Sequence, residues 1–177
     1  MFPTTETVKC EYILELENFV DASLDRIRSH PFIAAGFDRR LSQQQIVRWL
    51  MCAGRESRSF PHVIENMMER TDSPKIVHIL EQNLQDENGH GKLEHAHFTH
   101  YLDLLKEIGL SNSNFEEYNE KAGIQLTLSL AFNISTQKSQ GISLGYMLVN
   151  EGMTSITYAS MRSAFSVYFP AIQTPFF

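Results

Sequence analysis

The sequence predicts an all-α domain, a bundle of helices, on three observations. Apolar residues recur at three- and four-residue steps along most of the chain, as at Ile13, Leu16, Val20, Leu24 and Ile27; such spacing lays a stripe on one helix face. Helix-start chemistry precedes such stripes, as at Ser42 and at Ser73-Pro74. No run alternates apolar and polar residues as a half-buried strand would.

The first helix carries the stripe from Ile13 to Ile27, and His30-Pro31 is expected to end or kink it, because proline disfavours helical geometry in the residue before it. "SQQQ", residues 42 to 45, fits a capping box, in which the serine oxygen and the Gln45 side chain satisfy free backbone N–H groups. The helix it starts runs through Ile46, Trp49, Leu50 and Ala53, and Pro61 is expected to separate or kink it from a turn over Val63 to Met68. Pro74 stands where a first helical residue needs no N–H, and its helix passes Ile76, Ile79, Leu80 and Leu84 towards Asp86. Gly89 and Gly91 loosen the backbone; a helix is expected to resume near Lys92 and to end at Gly109. "SNSN", residues 111 to 114, reads as a loop and cap, and Phe115 to Ser139 as one or two helices split near Gly123. The last helix is expected from about Gly141 to just before Pro170. Helices of about 12 to 20 residues with short joints make a bundle.

A chain of 177 residues suffices for one domain, 1–177, with a real core. Apolar residues at 42% and charged residues at 20% are values of a soluble globular protein. The net charge of -6 argues against a nucleic-acid partner, which calls for a basic face. Cys10 and Cys52 stand apart without CxxC spacing, so neither a disulfide framework nor a zinc knuckle is indicated. They read as reduced, packed thiols of a cytoplasmic protein. The start, "MFPTTETVKCEY", lacks the basic and apolar regions of a signal peptide, and no apolar stretch is long enough to make a membrane a partner.

The segment "NLQDENGHGKLEHAHFTHYL", residues 83 to 102, holds His90, His95, His97 and His100, four of the seven histidines, beside Asp86 and Glu87. Imidazole and carboxylate together suit iron or manganese, and helical bundles draw such ligands from several helices. Glu87 with His90 and Glu94 with His97 are Glu-x-x-His pairs, a spacing that shares one helix face. A polar outer face that happens to carry histidines accounts for the same residues, since Glu-x-x-His alone is a weak motif. A further acid, Glu151, lies within the apolar and small-residue run "GYMLVNEGMTSITYASM". A buried glutamate is paired, protonated or bound to metal; the alternative is that Glu151 faces solvent beside Asn150.

The stretch "FPHVIENMMERTDSPKIVHILEQNLQDENGHG" resembles the heme-oxygenase-like diiron proteins. More narrowly it is similar to the chlamydia protein associating with death domains (CADD) and its cyanobacterial CADD-like relatives. That family carries Asn-Leu-x-Asp-Glu running into Asp-Glu-x-Gly-x-Gly, with a histidine ten residues after the Glu. Here Asp86-Glu87-Asn88-Gly89-His90-Gly91 leads to His97, with Gly109-Leu110 at the expected distance beyond. "SHPFIAAGFDRRLSQQQIVRWL" fits the family's short turn and second helix, and Glu151 matches a later glutamate ligand. The resemblance covers about residues 10 to 170.

The resemblance implies the heme-oxygenase-like (TenA/PqqC-like) helical bundle. It implies Glu87, His97 and Glu151 as metal ligands, with His95 as the alternative histidine and Glu56 or Glu65 as an extra carboxylate. His90 is implied next to the ligands, while His62, His78 and His100 read as surface or packing residues. The family completes its site with a His-x-x-x-Asp-x-x-His motif some thirty residues after Glu151, which this sequence does not contain. The expectation is therefore a truncated member lacking the final ligand-bearing helix, with an incomplete site for iron, either two Fe or Mn. The apolar end "YFPAIQTPFF" is expected to be covered by a partner subunit or by that absent helix. The reaction attributed to CADD, in which the chain's own tyrosine becomes para-aminobenzoate with a lysine as amino donor, does not carry over: the matching positions are Ile33 and Met161.

Three functions follow as expectations. The first is a CADD-like non-heme iron oxidoreductase of the diiron type, activating dioxygen on a small organic acid, amine or lipid, in a homodimer. The second is a non-catalytic dimeric helical binding or interaction protein with an incomplete metal site. The third is a metal-independent member of the TenA or PqqC kind, against which the Asp-Glu-x-Gly-x-Gly motif speaks.

Overall fold

Helix-forming stripes and caps become eight α-helices in the computed structural model, which describes residues 5–119, 121–137 and 139–177, the side chains of 5–11 excepted. They are α1 (Thr5–Arg28), α2 (Pro31–Phe37), α3 (Gln43–Met68), α4 (Pro74–Glu87), α5 (His97–Glu107), α6 (Asn112–Glu116), α7 (Ala122–Ser135) and α8 (Gln140–Tyr168). No strand occurs among the described residues, so the all-α expectation holds. None of their helices is long and apolar enough to cross a membrane. The Cys10 side chain lies outside the described residues, and Cys52 is half-buried on α3.

α3 is the central element, in contact with α4, α5, α7 and α8, and α8 packs in turn on α1, α2 and α7. The Ser42 capping box forms as expected: Gln45 N–H donates to Ser42 Oγ, and Ser42 N–H donates to Gln45 Oε1 at 2.8 Å. Buried Ile46, Leu50, Ala53, Gly54, Phe60, Ile64 and Met67 then follow at helical spacing. At Gly54 the α5 side chain Tyr101 packs directly on the α3 backbone, because a Cβ there would overlap its ring.

Pro61 does not separate the helix from the next turn; α3 continues through it to Met68. A proline in a helix interior costs ~3 kcal/mol. Past it, Val63, Ile64 and Met67 are at most 4% exposed, and burying three such side chains contributes ~5–9 kcal/mol, so continuing the helix wins.

Three other boundaries differ. α5 begins at His97 rather than Lys92, because Gly89, His90 and Gly91 all take positive φ (68°, 53° and 80°) and reverse the chain. A Cβ on Gly89 would also lie 2.5 Å from the Ala96 nitrogen. α6 starts inside "SNSN", where Ser111 and Asn114 form a second capping box, and 117–119 are not helical. On α1 only the later half of the stripe is covered: Val20 is buried, whereas Ile13 and Leu16 stay 56% and 50% exposed. α1 packs on α8 and α2, and Leu24 is the side chain that lies against Gly152 of α8.

Two apolar clusters result. One joins Leu50, Met51 and Ala53 of α3 to Tyr101, Leu104, Met161, Phe165 and Phe176. The other joins Phe60, Val63 and Ile64 of α3 to Leu80, Ala131 and Met147. In the C-terminal segment Phe176 is 2% exposed and Phe177 stacks on Trp49, while Pro170, Ala171 and Pro175 stay exposed. Ile33 and Met161 are buried, with the Ile33 carbonyl accepting from Ser160 Oγ at 2.7 Å.

Candidate metal centre

Between the two clusters, the apolar stripes of α3 and α8 are interrupted by polar residues. On α3 the interruption is Glu56 and Ser57, between Ala53 and Phe60; on α8 it is Asn150, Glu151 and Thr154, between Met147 and Tyr158. These two polar bands face one cleft of ≈ 50 Å³, which Glu87 from the end of α4 and His97 from the start of α5 also line. The reversal at Gly89–Gly91 brings the ends of α4 and α5 together. His97 Nδ1 lies 3.3 Å from Glu87 Oε2, with the two side chains 27% and 17% exposed. Asn83, one turn before Glu87, donates to Glu151 Oε1 at 3.3 Å.

The Glu-x-x-His pairs do not form. Glu87 ends α4 and His90 falls in the left-handed turn, where its Nε2 pairs with Asp86 at 2.8 Å in solvent. Glu94 precedes α5 and is exposed. The pairing across ten residues, Glu87 with His97, is the one present. His95 is exposed outside the cleft. Glu65 is exposed and faces His62 at 3.0 Å. Of the two extra carboxylates, Glu56 is the one in the cleft. Glu151 lines it beside the buried Asn150 but is itself exposed, the solvent-facing alternative rather than a buried acid.

Burial raises the Glu56 carboxyl above the usual carboxylate range, and no cation pairs with it among the described residues. Burial alone would lower His97, but the Glu87 hydrogen bond and charge, with a backbone hydrogen bond to Phe176, hold it above the ordinary imidazole value. Burial and the Glu56 charge push Tyr146 up to about 12. Burial, then Glu56 and Glu87, keeps the Tyr158 phenol protonated far into the alkaline range.

Sequence reasoning passed over Ser57, Phe60, Asn83, Asn150 and Thr154. Ser57 carried a signal: it stands four residues before Pro61, which has no N–H to offer the Ser57 carbonyl. Its hydroxyl is buried without a hydrogen-bond partner, a second unused oxygen at the cleft wall.

The donor set is three carboxylates and one imidazole, with no thiolate lining the cleft. Oxygen donors with an imidazole suit iron or manganese rather than a thiolate-rich zinc site. A water needs ~10–15 Å³ of such space, so ≈ 50 Å³ accommodates an ion with a few small ligands and no organic molecule. Among the described residues no three of these side chains already stand at ion-holding separation: the His97 nitrogen is turned to Glu87, and Glu151 to Asn83. The donors fit the ion in kind and number and need side-chain rotation to converge.

No curated protein matches the chain. A family model described as iron-containing redox enzyme matches residues 49–173, a span that includes Glu56, Glu87, His97 and Glu151. The chain belongs to this heme-oxygenase-like family of iron-containing redox enzymes.

Proposed function

We propose that this chain is a non-heme iron oxidoreductase, CADD-like and of the diiron type, acting with dioxygen on a small organic substrate. The observation that carries the reading is the cleft itself: acids and an imidazole from four helices face one small space, and one acid, the half-buried Glu56, has no cation beside it among the described residues. Glu87, His97 and Glu151 are the principal ligands in this reading and Glu56 the fourth. Iron, when bound, supplies the redox chemistry.

The chain's own residues do the rest. The carboxylates would offset the charge of the ion, and His97 would offer it a nitrogen in place of its contact with Glu87. Asn83 orients Glu151, while Phe60 and Tyr158 restrict water. Four donors would suffice for one ion, and a second would need donors beyond these four.

Anaerobic loading with ferrous iron, desalting and elemental analysis test this. The reading expects at least about one iron per chain, lost in H97A and E87A. No retained iron, or retention unchanged in both variants, refutes it.

A second reading, a dimeric interaction protein without catalysis, is favoured by the exposed apolar residues of α1, where Tyr12 and Phe19 are 68% and 63% exposed. Apolar surface of this kind marks association sites. Sedimentation showing a tight dimer that binds no iron, and that I13D and F19D break apart, supports that reading. A homodimer that also holds iron agrees with the first.

A further inference from the structure

The cleft admits no organic molecule, so a substrate needs another place, and the far side of Tyr158 offers one. A surface groove of ≈ 570 Å³ is lined by Arg39, Ser155, Tyr158, Arg162, Ser163 and Phe177, a volume in the range of small-molecule sites. Tyr158 is common to groove and cleft.

The charge of the groove is opposite to that of the cleft. Arg39 and Arg162 make no ion pair among the described residues, where arginine pairs involve Arg28, Arg40, Arg55 and Arg58. Among the described residues the Arg39 side chain donates one hydrogen bond, from Nε to Ser163 Oγ at 3.4 Å. The nearest acid in sequence, Asp38, is taken by Arg40 at 2.8 Å. Two guanidinium groups without carboxylates thus border one groove in a chain of net charge -6. Arg39 also holds a φ of 58° just past α2, where glycine is the ordinary residue.

We infer that this groove binds a small organic carboxylic acid. Its carboxylate sits at Arg39 and Arg162, and its apolar body lies along the Tyr158 and Phe177 rings. Guanidinium forks match carboxylates, whereas the acid-lined cleft repels them, so the acid's uncharged end is the part turned to Tyr158, one ring from the cleft. As a substrate site this rests on the oxidoreductase reading above; as a binding site it stands alone.

The test titrates hexanoate and its neutral counterpart hexanamide into the iron-free full chain, followed by saturation-transfer NMR. Hexanoate is expected to bind about tenfold tighter than hexanamide, and R39Q and R162Q each to weaken hexanoate about tenfold, the loss of one charge-assisted contact. Added salt weakens hexanoate alone. Both arginines are exposed, and unchanged melting temperatures show that the variants fold. Absence of saturable hexanoate binding, equal binding of the amide, or indifference to both substitutions overturns the inference. Iron loading measured on the same variants separates the two ideas. Iron retained with arginine-independent hexanoate sinks only the groove. Arginine-dependent hexanoate without iron confirms the groove and sinks the oxidoreductase.

Discussion

Replacing Phe176 by alanine tests whether the C-terminal segment is part of the site or merely near it. The ring is 2% exposed and lies 5.1 Å from His97, 5.2 Å from Tyr158 and 5.4 Å from Tyr101, centroid to centroid. Truncating a buried phenylalanine costs ~3–5 kcal/mol. The segment 170–177 lies at the edge of the core and its neighbours can partly close the gap, which favours the low end, ~3 kcal/mol. For a chain of this size each kcal/mol moves the melting temperature by ~2–4 °C, so F176A is expected to melt ~6–12 °C lower. Calorimetry of the iron-free protein measures it, with Q173A, an exposed change in the same segment, as the control. Surface changes stay within ~0.5 kcal/mol. A shift in F176A no larger than in Q173A would mean that Phe176 does not pack on His97, and the account of that imidazole would fall with it.

The remaining predictions concern the same layer. S57A removes a buried hydroxyl that has no partner and is expected to raise the melting temperature by ~2 °C or more; a fall would show that the hydroxyl is satisfied. G54A drives a methyl into the fully buried Tyr101 ring and is expected to cost ~1–3 kcal/mol by overpacking, read in a urea titration; no loss would mean that α3 and α5 are further apart. In the iron-free protein, Glu56 and His97 both bind protons more tightly folded than unfolded. Stability from the His97–Glu87 pair is full below the unfolded imidazole value of ~6.5 and is lost as pH rises through the raised folded value. The protonated Glu56 contributes likewise below its raised value. Melting temperature is thus expected to fall from about pH 5 upward, less so in E87Q; a rise over that window contradicts both assignments.

The helices were legible because their signals are local. A capping box at Ser42, a proline at the first turn of α4 and three- and four-residue spacing each act within a few residues, and each forms. What failed was also local in appearance but decided at a distance. Pro61 reads as a break, yet the cluster around Ile64 and Met67 holds the helix through it. Glu94 and His97 read as one helical face until three successive left-handed residues at Gly89–Gly91 move the start of α5 to His97. The spacing of ten between Glu87 and His97 has no helical meaning. It was readable only through family likeness, because the turn geometry that joins them is not written in periodicity. Glu56 was harder to rank than Glu151, since a single acid in α3 becomes informative only when its neighbours in space are other acids.

That convergence has an energetic consequence. α3 and α8 alternate along their length between apolar clusters and one polar layer, where the half-buried Glu56 carboxyl is held above the usual range by burial and the buried Ser57 hydroxyl has no hydrogen-bond partner. Extending the apolar stripe across Glu56, Ser57 and Asn150 would join the two clusters into one continuous core, and unsatisfied buried polar groups cost ~1–3 kcal/mol each relative to that. A chain of this size has ~5–15 kcal/mol of net stability in all, so the layer is a substantial fraction of it. A cation in the cleft is the single change that would satisfy the carboxylates together, turning a destabilising layer into a bridge between four helices. The same polar gap that weakens the core is what would leave space for an ion, and Tyr158, which lines both the cleft and the outer groove, would then be the wall between them.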